Sequence, residues 1–115
     1  MATDPDLPRV LSTAAARVDR VGEQIVALHT RLVLVGIQMT FGWTGVARTR
    51  FTRDVIALQK ETITAARVTA GLAETLRAAA ASATERLRAE AAAAALARKK
   101  AEEAAKAAAA AAAKK

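Results

Sequence analysis

Two long heptad stripes, interrupted once, constrain this chain more than any other feature. Leu11, Val18, Ile25, Leu32 and Met39 recur every seventh residue, with Ala14, Val21, Leu28 and Val35 between them. That alternating spacing belongs to a helix packed lengthwise against another helix. The pattern halts at Phe41-Gly42-Trp43-Thr44-Gly45 and then resumes. Phe51, Leu58, Ala65, Leu72 and Ala79 alternate with Val55, Thr62, Thr69, Leu76 and Ala83. The next seam positions are Arg86 and Glu90, so the stripe is expected to stop near Ala83.

Local chemistry sets the expected helix ends. Asp6 can cap a helix start, and Pro8 is tolerated in a first turn. Gly42 suits the position just past a helix end, and Thr44 is the best cap for the second helix. The first helix is therefore expected over 8–41. A connection of about four residues forces the second helix to fold back antiparallel. A first helix of about 34 residues, rising ~1.5 Å each, leaves its mate unpaired beyond about residue 80. The expected fold is all-α: an antiparallel helix-turn-helix hairpin that dimerises into a four-helix bundle. A short arm (1–7) precedes the hairpin (8–83), and an Ala/Lys-rich tail (84–115), helical or frayed, follows it.

Composition agrees with helix throughout. Both prolines fall before residue 10, tyrosine and cysteine are absent, and 22 of the last 38 residues are alanine. Alanine is the best helix former, so the tail can be helical without packing. Pairs such as Arg98/Glu102, Lys99/Glu103 and Glu102/Lys106 would support it. Without cysteine there is no disulfide and no thiolate ligand or nucleophile. Met1-Ala2-Thr3-Asp4-Pro5-Asp6 is acidic and lacks the apolar core of a general signal peptide. The most apolar run, Leu32 to Met39, is far shorter than the ~20 residues that span a membrane. The chain is expected to be made soluble, with any export using a route that reads a helical or folded feature.

A second set of aliphatics asks for a partner. Val26, Val33, Leu34 and Ile37 lie off the first seam, as do Ile56, Ile63 and Val68 on the second helix. Full burial of each is worth ~1.5–3 kcal/mol, and two such hairpins meeting along these stripes make a four-helix bundle. Ala15, Gly22 and Gly36 share one further row with His29, where small residues permit close helix approach.

Trp43-Thr44-Gly45-Val46-Ala47 followed by Phe51, placed between two helices, resembles the WxG-motif family of small early-secreted-antigen-like helical hairpins. The resemblance covers about residues 7–90. It implies a homodimer or a paired WxG-like hairpin partner, and export in that form by a type VII secretion system of actinobacteria or Gram-positive bacteria. It also implies that Trp43 and Gly45 form part of the export signal, and that the type VII ATPase or a larger effector is a further partner. Localisation would be secreted without a cleavable signal peptide, otherwise cytoplasmic. The family usually adds Tyr-x-x-x-Asp/Glu after the second helix. This chain has no tyrosine, so a partner is expected to carry that element.

Other functions are weaker readings. His29 is the only histidine and has no cysteine nearby to make a metal site, and no glycine run is followed by Gly-Lys-Ser/Thr. No catalytic residue, metal or cofactor is expected. The net charge of +7 invites a nucleic-acid reading through Arg48, Arg50, Arg53 and the tail lysines Lys99, Lys100, Lys106, Lys114 and Lys115. Glutamates interleave with the tail cations and no aromatics stand ready to stack on bases, so nucleic acid is the less favoured partner. A cytoplasmic adaptor or chaperone-like escort for a larger effector is the remaining alternative.

Overall fold

A computed structural model describes residues 2–40 and 44–114. It contains two helices, α1 (Leu7–Thr40) and α2 (Gly45–Ala113), packed as an antiparallel hairpin. The expected roles of Gly42 as a helix stop and Trp43 as the turn residue lie outside the described residues. The molecule measures 106 × 15 × 13 Å. The long axis matches α2 alone, since 69 residues rising ~1.5 Å each span about 104 Å.

The helix starts differ in chemistry from expectation. The Asp4 carboxylate accepts the Asp6 N–H (2.9 Å), and the Asp6 carbonyl accepts the Val10 N–H (3.0 Å). Asp4 thereby holds the turn that leads into α1, while Asp6 opens the helical ladder. Thr44 is the N-cap residue of α2 with extended backbone, but its side chain makes no capping hydrogen bond. Gly45 follows with φ +78°, a left-handed conformation that glycine adopts without strain. The chain therefore turns into α2 through glycine's backbone freedom rather than through a threonine cap.

The seam is the main correction to the heptad reading. Leu11, Val18, Ile25 and Leu32 are half-buried, as expected, whereas Met39 at the end of the row is exposed, and their companion row is Ala15, Gly22, His29 and Gly36. Val21, Leu28 and Val35, assigned to the seam by spacing, are exposed. On α2 the row Val55, Thr62, Thr69, Leu76 and Ala83 packs inward with Gln59, Ala66, Ala73 and Ala80, while Leu58 and Leu72 are exposed. The row continues past Ala83 to half-buried Leu87 and Glu90.

Small residues explain the choice. The buried positions are Ala15, Ala73, Ala80 and Ala83, joined by Val55. A Cβ added at Gly22 would lie 2.9 Å from Thr69 Oγ1, and one at Gly36 would lie 3.0 Å from Val55 Cγ1. The backbones approach along the row where side chains are smallest, and the bulkier leucines and valines are left on the flank. The seam hydroxyls are satisfied locally: Thr62 donates to the Gln59 carbonyl and Thr69 to the Ala66 carbonyl, each at 2.9 Å. Among the described residues no buried side-chain polar atom lacks a partner.

Polar contacts pin the far end. The Thr3 N–H donates to both Glu90 oxygens (3.0 and 3.1 Å), and the Thr3 hydroxyl donates to Oε1 (2.6 Å). Asp19 on α1 pairs with Arg77 on α2. Beyond Glu90, α2 continues as a solvated helix exposed on every side. Among the described residues, no helix is long and apolar enough to cross a membrane.

Candidate partner interface

The hairpin's two flanks carry different residues. A right-handed helix turns about 100° per residue, so the positions just after and just before a seam row lie on opposite flanks. In an antiparallel pair, the residue following a seam position points to the same flank on both helices. The grooves show this directly. Val26, Ile63, Ala66 and Ala70 share one shallow groove with His29, Thr62 and Arg67. Val33, Ile37 and Ile56 line its continuation toward the turn, with Gly36, Phe51 and Gln59.

Five of the seven residues singled out for a partner therefore converge: Val26, Val33, Ile37, Ile56 and Ile63. Leu34 and Val68 do not join them. Leu34 lies midway between seam residues Leu32 and Gly36, which turns it to the back of α1. Val68 precedes seam residue Thr69 and so faces the other flank. The groove's outer edge on α2 is basic. Arg53 and Lys60 border an open surface with Val46, Arg48, Thr49 and Arg50, and Arg67 continues the edge. Arg53 is also near Asp54 (3.6 Å).

The opposite flank was read as seam and is a second apolar face. Val21, Leu28, Val35, Leu58 and Leu72 are 44–49% exposed there, with Ala65 between the two leucines and Ala79 beyond Leu72. The signal that could have separated seam from flank was present in the Ala15-Gly22-Gly36 row.

His29 is structural. Its Nδ1 lies 2.8 Å from Thr62 Oγ1. The Thr62 hydroxyl proton is already donated to the Gln59 carbonyl, so Nδ1–H is the donor and Thr62 the acceptor. Glu90 is held below its ordinary value of 4.5, first by the Thr3 hydroxyl bond, then by the Thr3 N–H, against a desolvation that acts the other way. Among the described residues no group of three or more His, Asp or Glu side chains gathers to hold a metal. The arrangement offers long apolar faces with charged rims, which is chemistry for binding a helix. No protein family, curated protein or solved structure matches the chain.

Proposed function

We propose that this chain is a non-enzymatic WxG-type hairpin that works by pairing with another helical hairpin, and that a type VII secretion system exports it in the paired form. The observation that carries the association is the mismatch between core and flank. The hairpin buries alanines and one valine, only half-buries Leu11, Val18, Ile25 and Leu32, and leaves Val21, Val26, Leu28, Val35, Ile37, Ile56, Leu58, Ile63 and Leu72 exposed on its two flanks. A lone hairpin with so thin a core gains from covering one of them.

The export half of the reading rests on the resemblance. Trp43-Thr44-Gly45 stands at the one interruption between the helices, and Gly45 takes the left-handed conformation that a sharp re-entry into helix requires. Trp43 and Gly45 are then one part of an export signal, with the tyrosine-bearing part on the partner. That missing tyrosine also favours the second reading, in which the chain escorts a larger effector and does not itself lead export.

Co-expression with a paired hairpin protein, with secretion and complex mass followed together, tests the proposal. Trp43→Ala is expected to reduce export while leaving the complex intact. Equal loss of both would leave Trp43 only a packing role, and retention of the intact complex inside the cell would sink the export reading.

A further inference from the structure

We propose that the overhang of α2 beyond Glu90, residues 91–114, is an arm that binds duplex DNA without regard to base sequence, holding the phosphate backbone through Arg98, Lys99, Lys100, Lys106 and Lys114. This contact uses none of the flank residues and stands or falls apart from the pairing reading.

The overhang is open and its cations are free. The paired part of the molecule ends at Glu90, where Thr3 is bonded. From Ala91 to Ala113 α2 is a single helix exposed on every side, with Lys114 as its C-cap residue. Five cations stand there against two carboxylates, Glu102 and Glu103. The i,i+4 pairs expected from the sequence do not form. Among the described residues, ion pairs join Arg9 to Asp6, Arg53 to Asp54 and Arg77 to Asp19, and none lies in the overhang. The interleaved glutamates therefore leave the cations available to phosphates.

Helix geometry puts these cations on one side. Successive residues turn by about 100°, so Arg98, Lys99 and Lys100 fan over about 200° of the surface. Lys106 returns to the direction of Lys99, and Lys114 to that of Lys100, because each lies a whole number of heptads further on. The rows that continue the α2 seam, Ala94, Ala101 and Ala108 with Ala97, Ala104 and Ala111, hold no charge and lie opposite Lys99 and Lys106. With Lys99 and Lys106 directed into a groove, Arg98 is turned toward one wall, and Lys100 and Lys114 toward the other.

The polyanion that matches this arm is a DNA duplex. DNA carries one negative charge per ~1.7 Å of axis. Its major groove is about 12 Å wide and admits a helix, and alanine keeps this helix slim. Residues 91–114, rising ~1.5 Å each, span about 36 Å, close to one duplex turn. The deep, narrow major groove of an RNA helix does not admit side chains. Stacking on aromatic side chains is a device for single strands, so their scarcity here is no obstacle to a duplex. An anionic bilayer fits less well. Surface helices hold lipid by burying apolar side chains, and Leu96 is the one large aliphatic in the overhang. The arginines near the turn are a poorer phosphate site. Arg48, Arg50 and Arg53 share their surface with exposed Val46 and Ile56, and Arg53 lies beside Asp54.

Fluorescence anisotropy of the full chain with a labelled mixed-sequence duplex of about 20 base pairs, about two turns, tests the assignment. With four or five phosphates neutralised, log K should fall against log salt with a slope of about −4, a loss of about 250-fold between about 50 and 200 mM. Lys99→Ala/Lys100→Ala/Lys106→Ala keeps the helix, since alanine is the best helix former, and should flatten the slope by about 2–3. Arg17→Ala/Arg20→Ala/Arg31→Ala removes the same charge from exposed positions of α1 and should leave the slope unchanged. Glu102→Gln/Glu103→Gln should tighten binding. If the α1 variant flattens the slope as much as the overhang variant does, the attraction is diffuse and the assignment is overturned. Binding confined to vesicles of phosphatidylglycerol and phosphatidylcholine would overturn it in favour of a lipid surface. So would no binding to the duplex at about 50 mM salt, where such contacts are strong. The mass of the complex with a paired hairpin protein is read separately, so neither result decides the other.

Discussion

Alanine substitution at two glycines of the hairpin separates seam from flank. Replacing a mid-helix glycine with alanine stabilises a helix by ~0.5–1 kcal/mol through backbone entropy alone. At Gly71 nothing lies within 4 Å of the new Cβ, so Gly71→Ala should realise that gain in full. At Gly22 the Cβ would lie 2.9 Å from Thr69 Oγ1. Relief requires Thr69 to leave the geometry in which it donates to the Ala66 carbonyl, or the helices to part. Overpacking of this kind costs about 1–3 kcal/mol. The propensity gain is common to both sites, so their difference reads only the packing: Gly22→Ala should be less stable than Gly71→Ala by about 1–3 kcal/mol. Urea unfolding followed by circular dichroism measures it, at one protein concentration because association shifts apparent stability. Thr69→Ala in the Gly22→Ala background should recover most of the loss. Equal stabilisation by the two alanines would falsify the small-residue seam and return the seam to Val21, Leu28 and Val35.

Two further outcomes follow from local chemistry. Gly45→Ala should cost about 1 kcal/mol from the left-handed backbone alone, and Gly45→Asn less, because no atom lies within 4 Å of its Cβ position; equal stability of all three would refute a left-handed Gly45. Glu90 is depressed in the fold, so its contribution is complete above its ordinary value of 4.5 and is lost as pH falls through the lower, folded value. The Thr3 amide resonance should titrate with a midpoint below 4.5, and a midpoint at or above it would mean that the Thr3–Glu90 clamp does not form.

The helices and their antiparallel sense were legible because the heptad period is strong and the break at Gly42-Trp43-Thr44-Gly45 is short. The seam was not, and the reason is physical. Along α1 the apolar and small residues fill a sector wider than one helix contact. Row Leu11-Val18-Ile25-Leu32 has Val21-Leu28-Val35 on one side and Ala15-Gly22-Gly36 on the other. Periodicity cannot choose between neighbouring rows, since both share the same spacing. Size chooses: a two-helix pair gains most contact where the backbones approach, and only the small row allows that. The same size rule sorts the candidate interface. Val26, Val33 and Ile63 were found as off-seam residues, but Leu28, Leu58 and Leu72 were hidden in an apparent core. The Thr3–Glu90 contact joins residues 87 apart and has no periodic signature at all.

That this hairpin is completed by a second one is the central claim, and the mass of the chain purified alone and after co-expression with a paired hairpin protein tests it most directly. Light scattering is the suitable method, because a particle 106 Å long elutes as if larger than it is. At micromolar concentration the account predicts a two-hairpin particle in at least one of the two preparations, against 12.0 kDa for one chain. A 12.0 kDa species in both preparations that stays fully helical and unfolds cooperatively would contradict it.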